Sequence, residues 1–142
     1  MSPEENKNTV IRLYTEANDA QRYDVLDEIC APEVRIHDPL TGDSTGIEAF
    51  KGLLAFFAQS FSAQKTDLHL LIAEGDFVAV LHTHNGVHSG AFNGVLPTGR
   101  KISVPGCEFV RLKDGKVNEF WRGDADLSLM IQLGAIPAPA AE

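Results

Sequence analysis

The stretch Val104–Gly134, VPGCEFVRLKDGKVNEFWRGDADLSLMIQLG, decides the fold. Asp114-Gly115 stands between two alternating runs, the composition of a tight β-hairpin turn. Successive strand side chains alternate, so the first arm puts Cys107, Phe109 and Arg111 on one face and Glu108, Val110 and Leu112 on the other. The second arm puts Val117, Glu119 and Trp121 on one side and Asn118, Phe120, Arg122 and Asp124 on the other. A short helix comes next and stops at Gly134. Asp124 thus ends a strand just past the only tryptophan, among large apolar groups, where a raised pKa is expected.

Working upstream, Asp67 to Ala73 alternates as a strand, and Glu74-Gly75-Asp76 turns the chain into a second one, Phe77 to Asn85. Gly86, Gly90 and Gly94 punctuate the next segment and predict a bulge or sharp bend. Pro97-Thr98-Gly99-Arg100 is a turn into a long strand from Lys101, which Pro105-Gly106 is expected to kink. The N-terminal third reads differently. Ser2 to Glu5 is a capping box with Pro3 at the first helical position, and Val10, Leu13, Tyr14 and Ala17 continue it as one apolar stripe. A second, shorter helix holds Tyr23, Leu26, Ile29 and Cys30 and ends before Pro32. Val34 to Asp38 is a brief strand, Leu40 to Ser44 a loop, and Thr45 to Glu48 a second capping box. The helix it starts carries Ile47, Phe50, Leu54, Phe57 and Phe61. The tail from Pro137 to Glu142 is expected to fray.

Segregated helices and antiparallel strands predict an α+β fold, with a bent sheet wrapped over the Phe-rich helix as a half-open barrel. Its mouth would be a pocket between helices and sheet. The 142 residues suit a single domain, 1–142. A net charge of −8, with no Lys/Arg run beyond Arg100-Lys101, argues against nucleic acid and against an anionic membrane surface. No apolar run approaches the roughly 18 residues of a membrane span, and the N-terminus lacks the pattern of a signal peptide. A cytoplasmic protein is expected, with two reduced, buried thiols, Cys30 and Cys107.

Val87-His88-Ser89-Gly90-Ala91-Phe92-Asn93-Gly94, followed by Leu96-Pro97-Thr98-Gly99-Arg100, resembles the THxGxFxGxPPTGR signature of SnoaL-like proteins. Ala73 to Asp76, Asp114 to Trp121 and Gln132 to Ile136 match the same family, so the resemblance runs from Asn8 to about Pro137. It implies the nuclear transport factor 2-like superfamily: a cone-shaped α+β barrel in which three helices close a curved antiparallel sheet around an apolar cavity, commonly as a homodimer. It also implies the chemistry of polyketide and ester cyclases, ring closure by an intramolecular aldol step with a carboxylate as acid/base and no cofactor. Related folds host isomerisation, epoxide hydrolysis, hydroxylation and ligand binding, so the fold does not fix the reaction. The family often places histidine where Phe120 stands, and its acid where Ala125 stands, between Asp124 and Asp126.

The candidate catalytic residues are Asp124, as general base next to a substrate carbonyl, and His88, as donor to the developing oxyanion. Asp126 is the alternative acid, or else the N-cap of the last helix. His37, His82, His84, Trp121, Phe50 and Phe57 are expected to bind substrate, His37 by resemblance to the family. His82, His84 and His88 also form an H-x-H-x3-H pattern that a divalent ion could use, but with no carboxylate close in sequence, and no metal is assigned. The expected function is a cofactor-independent enzyme on a small apolar carbonyl compound, closing a ring or isomerising it. The alternative is a non-catalytic protein that binds a small hydrophobic ligand.

Overall fold

The computed structural model describes residues 1–140; Ala141 and Glu142, the end of the tail expected to fray, lie outside the described residues. Helix α1, Pro3–Arg12, opens on its capping box: Ser2 Oγ accepts the Glu5 N–H at 3.1 Å and donates to Glu5 Oε1 at 3.1 Å. It runs straight into a π-helical stretch, Leu13–Asp19, in which the Ala20 N–H reaches Thr15 O at 3.2 Å. Val10, Leu13, Tyr14 and Ala17 are all buried, as their spacing predicts.

Helix α2, Val25–Ile29, is shorter than expected. Pro32 forbids helix at the residue before it, and Cys30 is already extended as the first residue of β1, Cys30–Asp38. The expected loop after it holds a strand, β2, Gly42–Thr45, paired antiparallel with β1. Thr45 therefore ends a strand and does not cap α3, Ile47–Ser60, whose N-cap is Gly46 at φ 102. Four long strands come after it: β3 Phe61–Glu74, β4 Phe77–His88, β5 Lys101–Lys113 and β6 Lys116–Trp121. Asp114 and Gly115 both have positive φ, as the β5–β6 hairpin turn requires. Helix α4, Asp126–Gln132, is capped by Ala125, so Asp126 opens the helix rather than capping it.

The strands form one curved, unclosed sheet in the order β2-β1-β6-β5-β4-β3. One pairing departs from an all-antiparallel sheet: β1 runs parallel to β6. The expected kink at Pro105-Gly106 is absent, because β5 pairs with β4 in unbroken register from Phe77↔Arg111 to Val87↔Lys101. Pro105 O accepts the Ala125 N–H, so the backbone groups of residue 105 face away from β4 and the missing N–H costs no β4 ladder bond. The irregularities sit elsewhere: on β3 between Ser62 and Lys65, opposite Gly86, and between Leu68 and Leu70, and in the β5–β6 pairing between Arg111 and Leu112. A β-carbon at Gly86 would lie 3.3 Å from Ser62 O.

Two apolar clusters fill the concave side. Val10, Leu26, Phe50, Val80, Val110 and Phe120 belong to the larger; Phe61, Phe92, Ile102, Val104, Leu129 and Leu133 form the smaller. Both cysteines are free, but only Cys30 is buried. Cys107 is exposed because its neighbours on β5, Gly106 and Glu108, point into the fold. Among the described residues no helix is long and apolar enough to cross a membrane.

Candidate active site

The chain beyond Trp121 no longer pairs as β6, but it stays alongside β5. The Cys107 N–H donates to Gly123 O at 3.2 Å and the Ala125 N–H to Pro105 O at 2.9 Å. A β-carbon at Gly123 would fall 2.1 Å from Cys107 O, so glycine is what permits this approach. Asp124 is thereby fixed opposite Gly106, over the concave face.

Beneath it lies Glu108, 2% exposed on the apolar face of β5. Its carboxylate accepts the Tyr14 hydroxyl at 2.9 Å and the Gly123 N–H at 3.1 Å, and pairs with His82 Nε2 at 2.8 Å. Burial penalises charge on both members of this pair, yet the hydrogen bond and mutual attraction outweigh it. Glu108 is held below the usual carboxylate range and His82 above the usual imidazole value. Burial, reinforced by the Glu108 charge, keeps the Tyr14 phenol protonated well past its ordinary range.

Asp124 has the opposite fate. Its side chain is 9% exposed; Oδ2 pairs with Arg122 Nε at 2.9 Å, while Oδ1 sits 3.4 Å from His82 Nε2 and has no hydrogen-bond partner among the described residues. Burial, then repulsion from Glu108, lifts its pKa to about 8 against the pull of Arg122 and His82. Arg122 is itself buried and shared: it also donates to Asp126 at 2.9 and 2.5 Å and to Asp38 at 3.3 Å, and lies 4.5 Å over the Phe57 ring. His84 completes the group. Its Nε2 is 3.6 Å from Asp124 Oδ1 and its Nδ1 is 2.8 Å from Thr66 Oγ1. Burial, with His82 and Arg122 nearby, pushes its pKa down to about 4 despite the charge of Glu108.

Between the two apolar clusters lies a cavity of about 90 Å³, whose walls include Leu13, Phe50, Phe57, Ile102, His84 and Asp124. Four of the expected site residues, Asp124, His84, Phe50 and Phe57, therefore meet there. His82 stands one step behind, fully buried, its ring centroid 4.3 Å from that of His84. Three others do not reach it. His88 is fully buried and is not part of the cavity wall; its Nδ1 accepts the Thr98 N–H at 3.1 Å and its ring lies against Phe61. His37 and Trp121 lie on the opposite face of the sheet, because Ile36 and Phe120 beside them point inward. There His37 Nε2 is 2.5 Å from Glu119 Oε2, and its ring stacks on Trp121 at 5.3 Å. Asp126 is engaged by Arg122.

The site also uses residues not anticipated from the sequence: Tyr14, Thr66, Gly106, Glu108 and Arg122. Glu108 carried a signal, since it shares a face with Val110 and Leu112. As metal donors, His82, His84, Glu108 and Asp124 approach within 4.8 Å of one another, with His88 taking no part. His82 Nε2 and Glu108 Oε1 already engage each other, so an ion would have to separate them.

An open six-stranded sheet closed by N-terminal helices is the frame of the nuclear transport factor 2-like proteins. The profile of the SnoaL-like polyketide cyclase family matches residues 8–133, and the chain belongs to that family. Among solved structures, it is similar to a protein of Jannaschia sp. CCS1 provisionally named a SnoaL-like polyketide cyclase, with TM-score 0.87 and 30% identity over 96% of this chain and 98% of that one. AclR of Streptomyces galilaeus, provisionally named a hydroxylase, gives 0.85 and 25% over 98% and 87%. IdmH of Streptomyces antibioticus, provisionally named a polyketide cyclase, gives 0.81 and 28% over 91% and 98%. No curated protein matches the chain.

Proposed function

We propose that this chain is a cofactor-independent acid/base enzyme acting on a small, apolar carbonyl compound, by aldol ring closure of the polyketide-cyclase kind or by isomerisation. One observation carries the reading: Asp124 Oδ1 is buried at the wall of the cavity and has no hydrogen-bond partner among the described residues. A carboxyl with a pKa of about 8 is close enough to neutrality to exchange protons with a substrate, as general acid/base work requires. The lining of Leu13, Phe50, Phe57 and Ile102 supports an apolar ligand. The volume of about 90 Å³ is below the roughly 300–1,000 Å³ of drug-sized pockets, which favours a small one. The names of the related structures, cyclases beside a hydroxylase, agree with a shared frame and leave the reaction to the site.

The test is proton exchange at the carbon next to the carbonyl of 2-tetralone, cyclohexanone and acetylacetone in D₂O, monitored by NMR. The wild type should catalyse exchange on at least one of them, and Asp124→Asn should lose it. Saturable binding without any exchange would instead make this a ligand-binding member of the family.

A second copy of the chain on the convex face of the sheet belongs to the same proposal. Register places Ile72, Ala79, Phe109 and Trp121 in one row across four strands, with Leu70, Leu81 and Cys107 in another. Leu70, Ile72, Phe77, Leu81 and Phe109 are all exposed, and a continuous apolar face of this kind marks an interface.

A further inference from the structure

The groups behind His84 determine which of its nitrogens is bare. Asp19 accepts the Thr66 N–H at 2.7 Å on one oxygen and the Thr66 hydroxyl at 2.8 Å on the other. A carboxylate only accepts, so Thr66 gives Asp19 its single hydroxyl proton. Thr66 Oγ1 must then accept from His84 Nδ1, 2.8 Å away. The imidazole proton is on Nδ1, and Nε2 keeps a free lone pair. That lone pair lies 3.6 Å from Asp124 Oδ1, and both residues line the cavity. Two atoms without a hydrogen-bond partner among the described residues, a bare nitrogen and a carboxyl oxygen, thus stand side by side at the wall.

We propose that His84 Nε2 is the proton acceptor of the reaction and Asp124 Oδ1 its proton donor, a neutral acid/base pair that resets by direct transfer between the two. The proposal rests on the acid/base reading above and divides its labour. For a ketone in the cavity, Nε2 takes the proton from the carbon beside the carbonyl. The electron pair of that C–H bond becomes the C=C bond of the enol, and the carbonyl oxygen takes the proton of Asp124. The imidazolium and carboxylate left behind are neighbours, and return of the proton from Nε2 to Oδ1 restores both.

The surroundings keep the pair in this form. His84 faces Tyr14 and, through Thr66, Asp19 from the π-helical stretch; His82 lies on its own strand, Glu108 on β5, and Arg122 and Asp124 at and beyond the end of β6. With His84 lowered to about 4 and Asp124 raised to about 8, the imidazole is neutral and the carboxyl protonated in the interval between. Two groups driven apart in this sense mark which is base and which is acid.

The experiment measures ketone proton exchange against pH for the wild type, His84→Gln and Thr66→Val, together with nitrogen NMR of the His84 ring. The pair predicts a bell-shaped rate with limbs near 4 and 8, and a loss of about 100-fold or more in His84→Gln. It also predicts a proton on Nδ1 at neutral pH. Thr66→Val should lower kcat with little change in KM and give a mixture of His84 tautomers. A rate that instead climbs through pH 8 to a plateau, or persists in His84→Gln, or a proton found on Nε2, would overturn the pair and leave Asp124 as the base. Failure of the wild type on all three ketones would count against the acid/base reading as a whole.

Discussion

Gly106 and Asp124 meet with no space between them: a β-carbon at position 106 would lie 2.7 Å from Asp124 Oδ1, and as close to His82 Cε1. The Pro105-Gly106 step in β5 is therefore a seat for the carboxyl group rather than a kink. Gly106→Ala should displace Asp124 and cost about 1–3 kcal/mol of stability, the usual range for overpacking. Thermal melting would show the stability loss, and ketone exchange should fall with it. An unchanged exchange rate would mean that the carboxyl does its work from another position.

Glu108 ties Tyr14, His82 and Gly123 together, and Glu108→Gln keeps its shape while removing its charge. Breaking a buried ion pair on one side costs about 3–5 kcal/mol, which denaturant titration would measure. The same change removes the repulsion from Asp124, which outweighs the weaker attraction of His82 that is lost with it. The Asp124 pKa should then drop below its value of about 8. Carboxyl carbon NMR of Asp124 reads this directly, and an upward movement would refute the electrostatic account.

The raised pKa of Asp124 also fixes a sign for stability against pH. The folded chain holds this proton more tightly than the unfolded one, so the benefit is whole below about 3.8 and is lost as pH rises through about 8. Asp124→Asn cannot ionise. Its melting temperature relative to wild type should therefore be higher at pH 9 than at pH 5, by calorimetry in matched buffers. Equal differences at the two values would mean that Asp124 is ionised throughout.

On the convex face, His37 is charged more readily than a free imidazole because Glu119 hydrogen-bonds it, against the cost of burial and with help from Asp43. Its ring stacks on the only tryptophan. Trp121 emission should be quenched as pH falls through a midpoint above 6.5, the ordinary histidine value. His37→Gln should abolish the transition and leave ketone exchange intact. A cavity ligand should barely alter the emission.

Pairing through the convex face makes its own prediction. Phe109→Lys places a charge in the middle of the apolar row that Ile72, Ala79 and Trp121 share. Light scattering should find the wild type dimeric and this variant monomeric at the same concentration. A monomeric wild type would dispose of the interface.

The order of helices, strands and hairpin was legible because each rests on short-range signals: the Ser2 box, the period-2 runs, Asp114-Gly115. Strand parity alone put Asp124 on the inner side with Phe120 and Arg122. The same rule, applied to His37 from the Ile36 beside it, sends that histidine outward, whereas family resemblance points it to the cavity. His88 shares the parity of His82 and His84, but parity says nothing of position along a strand, and His88 ends β4 beyond the cavity. The Glu108–His82–Tyr14 cluster spans 94 residues and exists only after the helix folds over the sheet, so no local pattern could display it. β2 is hidden for a related reason: Gly-Asp-Ser-Thr has no apolar alternation and becomes a strand only by pairing with β1.

The first helix changes its winding at Leu13, and the site inherits the result. Within the widened coil Tyr14 reaches down to Glu108 while Asp19, five residues later, steadies the Thr66 hydroxyl that orients His84. Five residues in regular α-helix end more than a third of a turn out of phase; the looser π coil brings them closer to alignment. A fault in helical periodicity is thus what lets one short segment hold both Glu108 and, through Thr66, the His84 ring.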